Sequence, residues 1–458
     1  MFFLRYLSFQ KLGAVILEHA LLITCVLALQ LHNLAVAPES LAFFLCQASV
    51  VAVTFQMFLH LRNGYEFGTK PWERRFIFGL GQAVLLACAV LSMIHVITPN
   101  LSIGRERFAF MLLLVSAVLA IWHFSLRMYF GVSSRRSKIL IMGTGPLARS
   151  LATEILRHRE YGLQVCGFVD DDPALVGVSI VNPKVLGLSK ELRRIVSDND
   201  VDEVVVELQD RRGRLPVDEL LSLKTRGVRV QEATSLYERV TGKISIENLK
   251  PSWMLFGDGF EVSRSVLIGK QIVSFSVSLL LLVLFLPLFP LIALLIKLDS
   301  PGPVFFRQER VGEDGKVFTL WKFRSMRKDA ERNTGPVWAK AQDSRVTRVG
   351  KYLRRTRLDE VPQLFNVLKG DMSLVGPRPE RPNFVDELSK TIPFYYLRHS
   401  VKPGVTGWAQ INYGYGNSVE DAVEKLQYDL FYIKNVSWAL DLLVLLHTIK
   451  TVLVRKGS

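Results

Sequence analysis

Cysteine is scarce in this chain of 458 residues. The four present, Cys25, Cys46, Cys88 and Cys166, are scattered, three of them in apolar stretches, and none forms a CxxC pair. That argues against a disulfide framework and against a thiolate metal centre. The eight histidines are also dispersed, with no HxH or HExxH pattern. Any metal would be a hard cation held by carboxylates and phosphates. Acidic residues are in deficit, 42 Asp and Glu against 57 Lys and Arg, for a net charge of +15. Such a balance suits anionic partners: a membrane surface, nucleic acid or phosphorylated small molecules.

Apolar residues, by contrast, are plentiful. They make up 49% of the chain, and the mean hydropathy is +0.25, so part of the molecule is expected in lipid. The length allows two or three domains. Four long apolar segments come first, at approximately Ala14–Leu31, Leu41–Leu61, Phe76–Ile97 and Phe108–Phe130. Each approaches the ~20 residues that cross a ~30 Å hydrocarbon layer as a helix. Their repetition, with no small-residue cleavage site, disfavours a signal peptide. Basic residues lie before the first segment (Arg5, Lys11), between the second and third (Arg62, Lys70, Arg74, Arg75) and after the fourth (Arg127, Arg135, Arg136, Lys138). The opposite connections hold only Arg105 and Arg107, so both ends of a four-span bundle over 1–132 are expected to face the cytoplasm.

Residues 137–250 read as an α/β unit. KILIMGTGPLARSLATEIL is a short apolar strand, a glycine turn and an amphipathic helix; VCGFV, VDEVVVEL and GVRVQEA supply further strand candidates. Gly143, Gly145 and Ala148 have GxGxxA spacing, and Asp170, Asp171 and Asp172 follow the second strand. This is the shape of a dinucleotide fold, with Gly143, Gly145 and Asp170 as nucleotide-binding candidates. A Rossmann-like domain without any nucleotide role reads equally well.

A fifth apolar run, Ile272–Leu298, is interrupted by Pro287 and Pro290. Proline removes a backbone donor and clashes with the preceding turn, so a bend is expected. A kinked span and a helix that leaves by the face it entered both fit. From Asp299 onwards 26 Lys and Arg face 18 Asp and Glu, with apolar and aromatic residues mixed among them. Residues 428–453 suit helices lying on a bilayer or packed on a protein core.

The motifs concentrate in this last region. VFFRQERVGEDGKVFTLWKFRSM reads as a two-stranded hairpin around Gly312–Gly315, with Lys322 and Arg324 on its second strand. RRTRLDEVPQLFNVLKGDMSLVGPRPE and VKPGVTGWAQIN follow. Basic side chains near every turn could neutralise phosphate oxygens. Glycine turns could offer backbone amides to an anion, and Asp359 and Glu360 could supply a nucleophile and metal ligands. Mg²⁺ commonly pairs one or two carboxylates with substrate phosphates. The plainer readings are that Asp359 is the N-cap of the helix EVPQLFNVL, and that Arg354, Arg355 and Arg357 form a solvated or lipid-facing patch.

From about Leu267 onwards, the broken apolar segment, FFRQERVG, KFRSM, the Asp359-Glu360 stretch and KPGVTGWAQIN match, in order and spacing, those of bacterial sugar transferases. The chain resembles the monotopic phosphoglycosyl transferases, and its four spans and α/β unit resemble the large undecaprenyl-phosphate hexose-1-phosphate transferases of exopolysaccharide assembly. The resemblance implies three regions: a four-helix transmembrane bundle (1–132), a Rossmann-like α/β domain (137–250), and a mostly helical catalytic domain (265–458) with a re-entrant membrane helix at about 270–298. It implies Asp359 as nucleophile towards a UDP-sugar, Glu360 as its assistant in positioning Mg²⁺ or activating the acceptor phosphate, and undecaprenyl phosphate as acceptor. Lys322, Arg324, Arg354 and Arg378 are the candidate phosphate contacts. Pro287 matches the helix-breaking proline, although Leu286 stands where relatives often have serine and Pro290 is additional. The implied setting is the bacterial inner membrane with the catalytic domain on the cytoplasmic face, glucose or galactose as the sugar, and no nucleic-acid partner. Nucleotide binding, regulation or contact in a homodimer are the roles open to the α/β domain.

Three other functions fit these motifs less well. A nucleotide-sugar epimerase or dehydratase needs a YxxxK pair, and none of the 12 tyrosines has lysine four residues on. A non-catalytic flippase or scaffold leaves Asp359-Glu360 and its basic surroundings unexplained. A DxD glycosyltransferase would draw on Asp170–Asp172, far in sequence from the basic turns.

Overall fold

The computed structural model describes residues 9–36, 41–62, 64–65, 72–97, 105–133, 136–158, 162–207, 215–247, 249, 259–327, 343–414, 416 and 418–453. Arg5, Lys70 and Arg135, part of the orientation expectation, lie outside them. The chain divides between Thr241 and Gly242 into two compact units.

The first unit opens with helices α1 (Phe9–Val36), α2 (Leu41–Leu61), α3 (Arg74–Ile97) and α4 (Arg105–Ser133). Small and branched side chains such as Ala48, Ala52, Ala83, Ala87 and Val115 fill the interior, while Phe78, Leu85, Leu113 and Ile121 point outward. An apolar exterior over a small-residue interior is the pattern that lipid solvation selects. Helices α2, α3 and α4 are long and apolar enough to cross a membrane. α1 runs 28 residues, and its apolar stretch among the described side chains is Gly13–Leu29. Glu18 and His123 are buried in this bundle, with Nε2 of His123 3.1 Å from Glu18 and the Tyr65 hydroxyl donating to the same carboxylate at 2.8 Å.

An α/β region follows: β1 (Ser137–Met142), α5 (Pro146–Arg157), β2 (Leu163–Asp170), β3 (Val185–Leu188), α6 (Leu192–Asp198), β4 (Glu203–Val206), α7 (Val217–Thr225), β5 (Arg229–Glu232) and α8 (Ala233–Thr241). The five strands are parallel in the order β3-β2-β1-β4-β5. Ile139 and Ile141 face α5 and α8, whereas Leu140 and Met142 face α6 and α7, so both faces are covered. This double burial explains the near-continuous apolar run of the central strands.

In the second unit α9 (Arg264–Phe285) begins at Ser263, whose hydroxyl accepts from the Val266 amide, and ends at Leu286. It is the fourth helix among the described residues that is long and apolar enough to cross a membrane. α10 (Leu288–Asp299) starts after Pro287. The expected break therefore falls at Pro287, while Pro290 sits in the first turn of α10, where no amide is needed. Strands β6 (Phe305–Val311) and β7 (Val317–Phe323) pair antiparallel, with Phe305 opposite Phe323, and turn through Glu313–Gly315 as the sequence suggested. The remaining elements are α11 (Arg348–Arg355), α12 (Gln363–Lys369), β8 (Ser373–Val375), α13 (Pro382–Thr391), β9 (Gly404–Thr406), α14 (Trp408–Asn412), α15 (Val419–Lys434) and α16 (Trp438–Leu453). β8 and β9 form a short parallel pair that holds the GPRP turn against the KPGVTG turn.

Candidate active site

The carboxylate pair lies in a single 3-10 turn, Leu358–Glu360, between α11 and α12. The N-cap expectation for Asp359 fails here: Pro362, whose ring fixes φ, is the residue from which α12 starts. Arg357 precedes the turn in the left-handed region, at φ 59° and ψ 13°. That conformation costs a branched-chain-free residue on the order of 1 kcal/mol or more and is kept where surroundings over-determine it. It turns the chain sharply out of α11 and directs both acids inward.

Both carboxylates are buried. Glu360 Oε1 accepts from Lys322 Nζ at 3.0 Å and from the Arg378 guanidinium at 2.7 Å, and Arg357 lies 3.8 Å from Oε2. Burial alone would raise the Glu360 pKa, but Arg378, Lys322 and Arg357 outweigh it and hold the carboxyl far below its usual range. Asp359 differs. Its Oδ1 is buried and has no hydrogen-bond partner among the described residues. Burial, and then the charge of Glu360, push its pKa up against the opposing pull of Lys322, Arg354 and Arg357. One acid is locked as an anion by cations; its neighbour keeps one oxygen without a hydrogen-bond partner among the described residues.

Lys322, on the hairpin's second strand as the sequence suggested, reaches the pair from β7, and Arg378 reaches it from the GPRP turn. Arg354, on α11, donates to the Ser325 hydroxyl at 2.9 Å and acts on Asp359 through its charge. Arg324 is not brought to the pair. It falls just past the end of β7 at Phe323, and its guanidinium donates to the carbonyls of Ser300 at 2.6 Å and Pro301 at 2.9 Å beyond the C-terminus of α10. The glycine turns also depart from expectation. The Gly376 amide donates to Thr406 O and the Gly404 amide to Pro377 O, both at 2.9 Å, so these donors are consumed between the two turns. A Cβ on Gly376 would stand 2.4 Å from Lys402 O, which explains why glycine is required there.

Two arginines that the sequence did not single out, Arg310 half-buried and Arg398 buried, support the Arg378 turn. Arg310, on β6, donates to Pro379 O at 2.8 Å. Arg398 donates to the Arg378 carbonyl at 2.9 Å and pairs with Asp429 of α15 at 3.0 Å. Burial pushes Asp429 up to about 6 despite the opposing charge of Arg398. A shallow recess beside Arg378 is lined by Gly312, Pro377, His399 and Pro403, where burial pulls His399 down to about 4, leaving it neutral. On the other side of the turn, Lys270 of α9 donates to Val375 O at 2.8 Å and to Asp441 of α16 at 2.6 Å. The root of the long apolar helix is thereby tied to the segment that carries Arg378.

Among the described residues no three His, Cys, Asp or Glu side chains gather as a metal site. Gly143, Gly145 and Asp170 belong to the first unit, at the C-terminal edge of its parallel sheet, and the carboxylate pair belongs to the second.

Comparison with known proteins gives the site its setting. A family model described as bacterial sugar transferase matches residues 265–455, the stretch that holds every element of the site. A UDP-glucose:undecaprenyl-phosphate glucose-1-phosphate transferase of Klebsiella pneumoniae is 30% identical over 437 residues, covering 91% of this chain and 90% of that protein. The chain belongs to the bacterial sugar transferase family. Within the family, the UDP-N-acetylgalactosamine-undecaprenyl-phosphate N-acetylgalactosaminephosphotransferase of Aeromonas hydrophila is 43% identical over 229 residues, 50% of this chain and 53% of its own. A UDP-glucose:undecaprenyl-phosphate glucose-1-phosphate transferase of Xanthomonas campestris is 36% identical over 288 residues, 60% of this chain and 57% of its own. The chain thus spans little more than half the length of these two sugar transferases.

Proposed function

We propose that this sugar transferase moves a hexose-1-phosphate from a UDP-sugar to undecaprenyl phosphate in two displacements through Asp359. The observation that carries the reading is the contrast within the pair: Glu360 is held by Lys322, Arg378 and Arg357, while the buried Oδ1 of Asp359 is unpartnered among the described residues. An oxygen of Asp359 attacks the β-phosphorus, the P–O bond to the α-phosphate breaks, and UMP leaves. The resulting acyl phosphate carries the sugar. An oxygen of undecaprenyl phosphate then attacks the same phosphorus, giving undecaprenyl-diphospho-sugar and restoring the carboxylate. Splitting one displacement between two anions into two steps is the benefit of a covalent route, and fixed cations stabilise the charge that develops in each. Glu360 anchors Lys322 and Arg378 where the phosphates arrive.

Mg²⁺ fits the unpartnered Oδ1 of Asp359 together with substrate phosphates; Glu360, with its Oε1 occupied by two cations, fits less well. When bound, the ion would offset negative charge on the diphosphate. The membrane setting follows the same reading. α9 and α10, broken at Pro287, form a re-entrant hairpin. Both arms are tied to this one unit, α9 through Lys270 and α10 through the Arg324 contacts beyond its end. UDP-sugars are cytoplasmic, so the catalytic face is the cytoplasmic one. The strand order β3-β2-β1-β4-β5 supports a Rossmann-like description of the α/β region.

The test is UMP release by the membrane-embedded protein with undecaprenyl phosphate and UDP-glucose, UDP-galactose and their N-acetylated counterparts. At least one donor should yield UMP and a lipid-linked sugar; silence across all four would refute the reading. The pH profile gives a further expectation. Below pH ~6 Asp429 takes up a proton, Arg398 loses its counter-charge, and the Arg378 turn loses an anchor. Turnover should therefore fall on that acid limb. Asp429→Asn should lower turnover about tenfold at neutral pH and remove the limb near 6. Because its folded pKa is raised, ionising Asp429 costs stability between pH ~4 and ~6, so the variant should melt no lower than the parent at pH 7.

A further inference from the structure

The glycine turn after β1 takes no part in this chemistry. Gly143 ends the strand at φ 104°, Gly145 is the N-cap of α5, and Pro146 offers no amide. In a dinucleotide fold the amides of such a turn meet a pyrophosphate, and an acidic residue at the end of the next strand meets a ribose. Here both positions are filled by the protein itself.

Glu207 follows β4, and its own amide donates to Met142 O at 2.8 Å, which fixes its backbone against the end of β1. Its side chain is buried and Oε2 accepts from the Gly145 amide at 3.1 Å. A Cβ on Gly143 would lie 2.0 Å from Glu207 O, and one on Gly145 would lie 2.4 Å from Glu207 Oε1. The GxG spacing is thus accounted for by Glu207, with no phosphate involved. Asp170 is engaged as well: Oδ2 accepts from the Thr144 hydroxyl at 2.7 Å and Oδ1 from the Asp172 amide at 3.1 Å. An incoming diphosphate would meet two carboxylates at the place where a helix N-terminus otherwise attracts it. The residues present do not fit a pyrophosphate.

We infer that Glu207 is a resident anion in the phosphate position of this turn and that it closes the α/β region to nucleotide diphosphates such as NADH and coenzyme A. Burial pushes the Glu207 carboxyl up, the Gly145 amide opposes this, and Asp170 adds to the rise.

The full-length protein in lipid nanodiscs tests this in two ways. Titration with NADH, followed by its fluorescence, and with coenzyme A, followed by calorimetry, should show no saturable binding up to millimolar concentration. Hydrogen–deuterium exchange of the peptide 143–148 should be slow in the parent, about tenfold faster in Glu207→Ala, and near the parental rate in Glu207→Gln, which keeps an acceptor oxygen. Saturable binding of either probe to the parent would overturn the inference, as would an unchanged exchange rate in Glu207→Ala. Should Glu207→Ala not fold, Gly145→Ala displaces the carboxylate tip instead, and the same acceleration, or its absence, decides.

Discussion

Asp359→Asn will abolish UMP release, leaving a rate lower by about 10⁴-fold or more, the scale seen when a covalent nucleophile is removed. The fold should survive the change. Oδ1 of Asp359 has no hydrogen-bond partner among the described residues, so replacing the carboxylate by its isosteric amide breaks no contact at that oxygen. Burial and the neighbouring charge of Glu360 both disfavour the ionised form of Asp359. A neutral side chain relieves that penalty at pH 7, so the melting temperature should stay level or rise. Intact mass after mixing with UDP-sugar alone should show a sugar-phosphate adduct on the parent and none on Asp359→Asn. A variant that still released UMP at the parental rate would remove Asp359 from its role.

Lys322→Met should lower turnover by about 10²- to 10³-fold, comparable to losing one preorganised electrostatic contact to a transition state. Here a stability cost should accompany the kinetic one. Glu360 is buried, and deleting a partner of a buried charge costs about 3–5 kcal/mol where no other cation replaces it. Arg378 and Arg357 remain, which places Lys322→Met towards the lower end. A depressed carboxylate pKa contributes stability above the unfolded value, near 4, and loses it as pH falls through the folded one. In Lys322→Met that contribution should be smaller and its loss complete at a higher pH, because the depression is smaller. Adding Glu360→Gln should restore the melting temperature without restoring turnover. If Lys322→Met kept the parental rate, the lysine would be a structural counter-ion only.

Much of this architecture was legible because it is written in local patterns. The apolar run of β1, the glycine turn and the amphipathic α5 announced a strand, turn and helix, and Pro287 marked the break between α9 and α10. β3 escaped notice because four residues amid turn-forming neighbours carry no readable period. The site was legible only in its parts. Lys322 and Arg324 stand two residues apart and look alike in sequence, yet the first meets Glu360 and the second serves the carbonyls that follow α10. Which one reaches the acids depends on where α10 ends, a tertiary fact. Arg310, Arg398 and Asp429 were missed for the same reason, since each acts on a turn distant in sequence. The glycines of GPRP and KPGVTG looked like anion donors because their partners, the carbonyls of Thr406 and Pro377, lie 30 and 27 positions away.

The cations around the carboxylates have a consequence for turnover. Lys322, Arg354, Arg357 and Arg378 set four positive charges against the two of Asp359 and Glu360. In the proposed first displacement a UDP-sugar brings two negative charges, and UMP carries about two away. The phosphodiester left on Asp359 bears the single charge that its carboxylate gave up. The cavity therefore returns to its starting potential before the lipid arrives, and a second phosphate meets the same field as the first. Alternation between a water-borne donor and a membrane-borne acceptor then needs no switching part: conservation of charge resets the site.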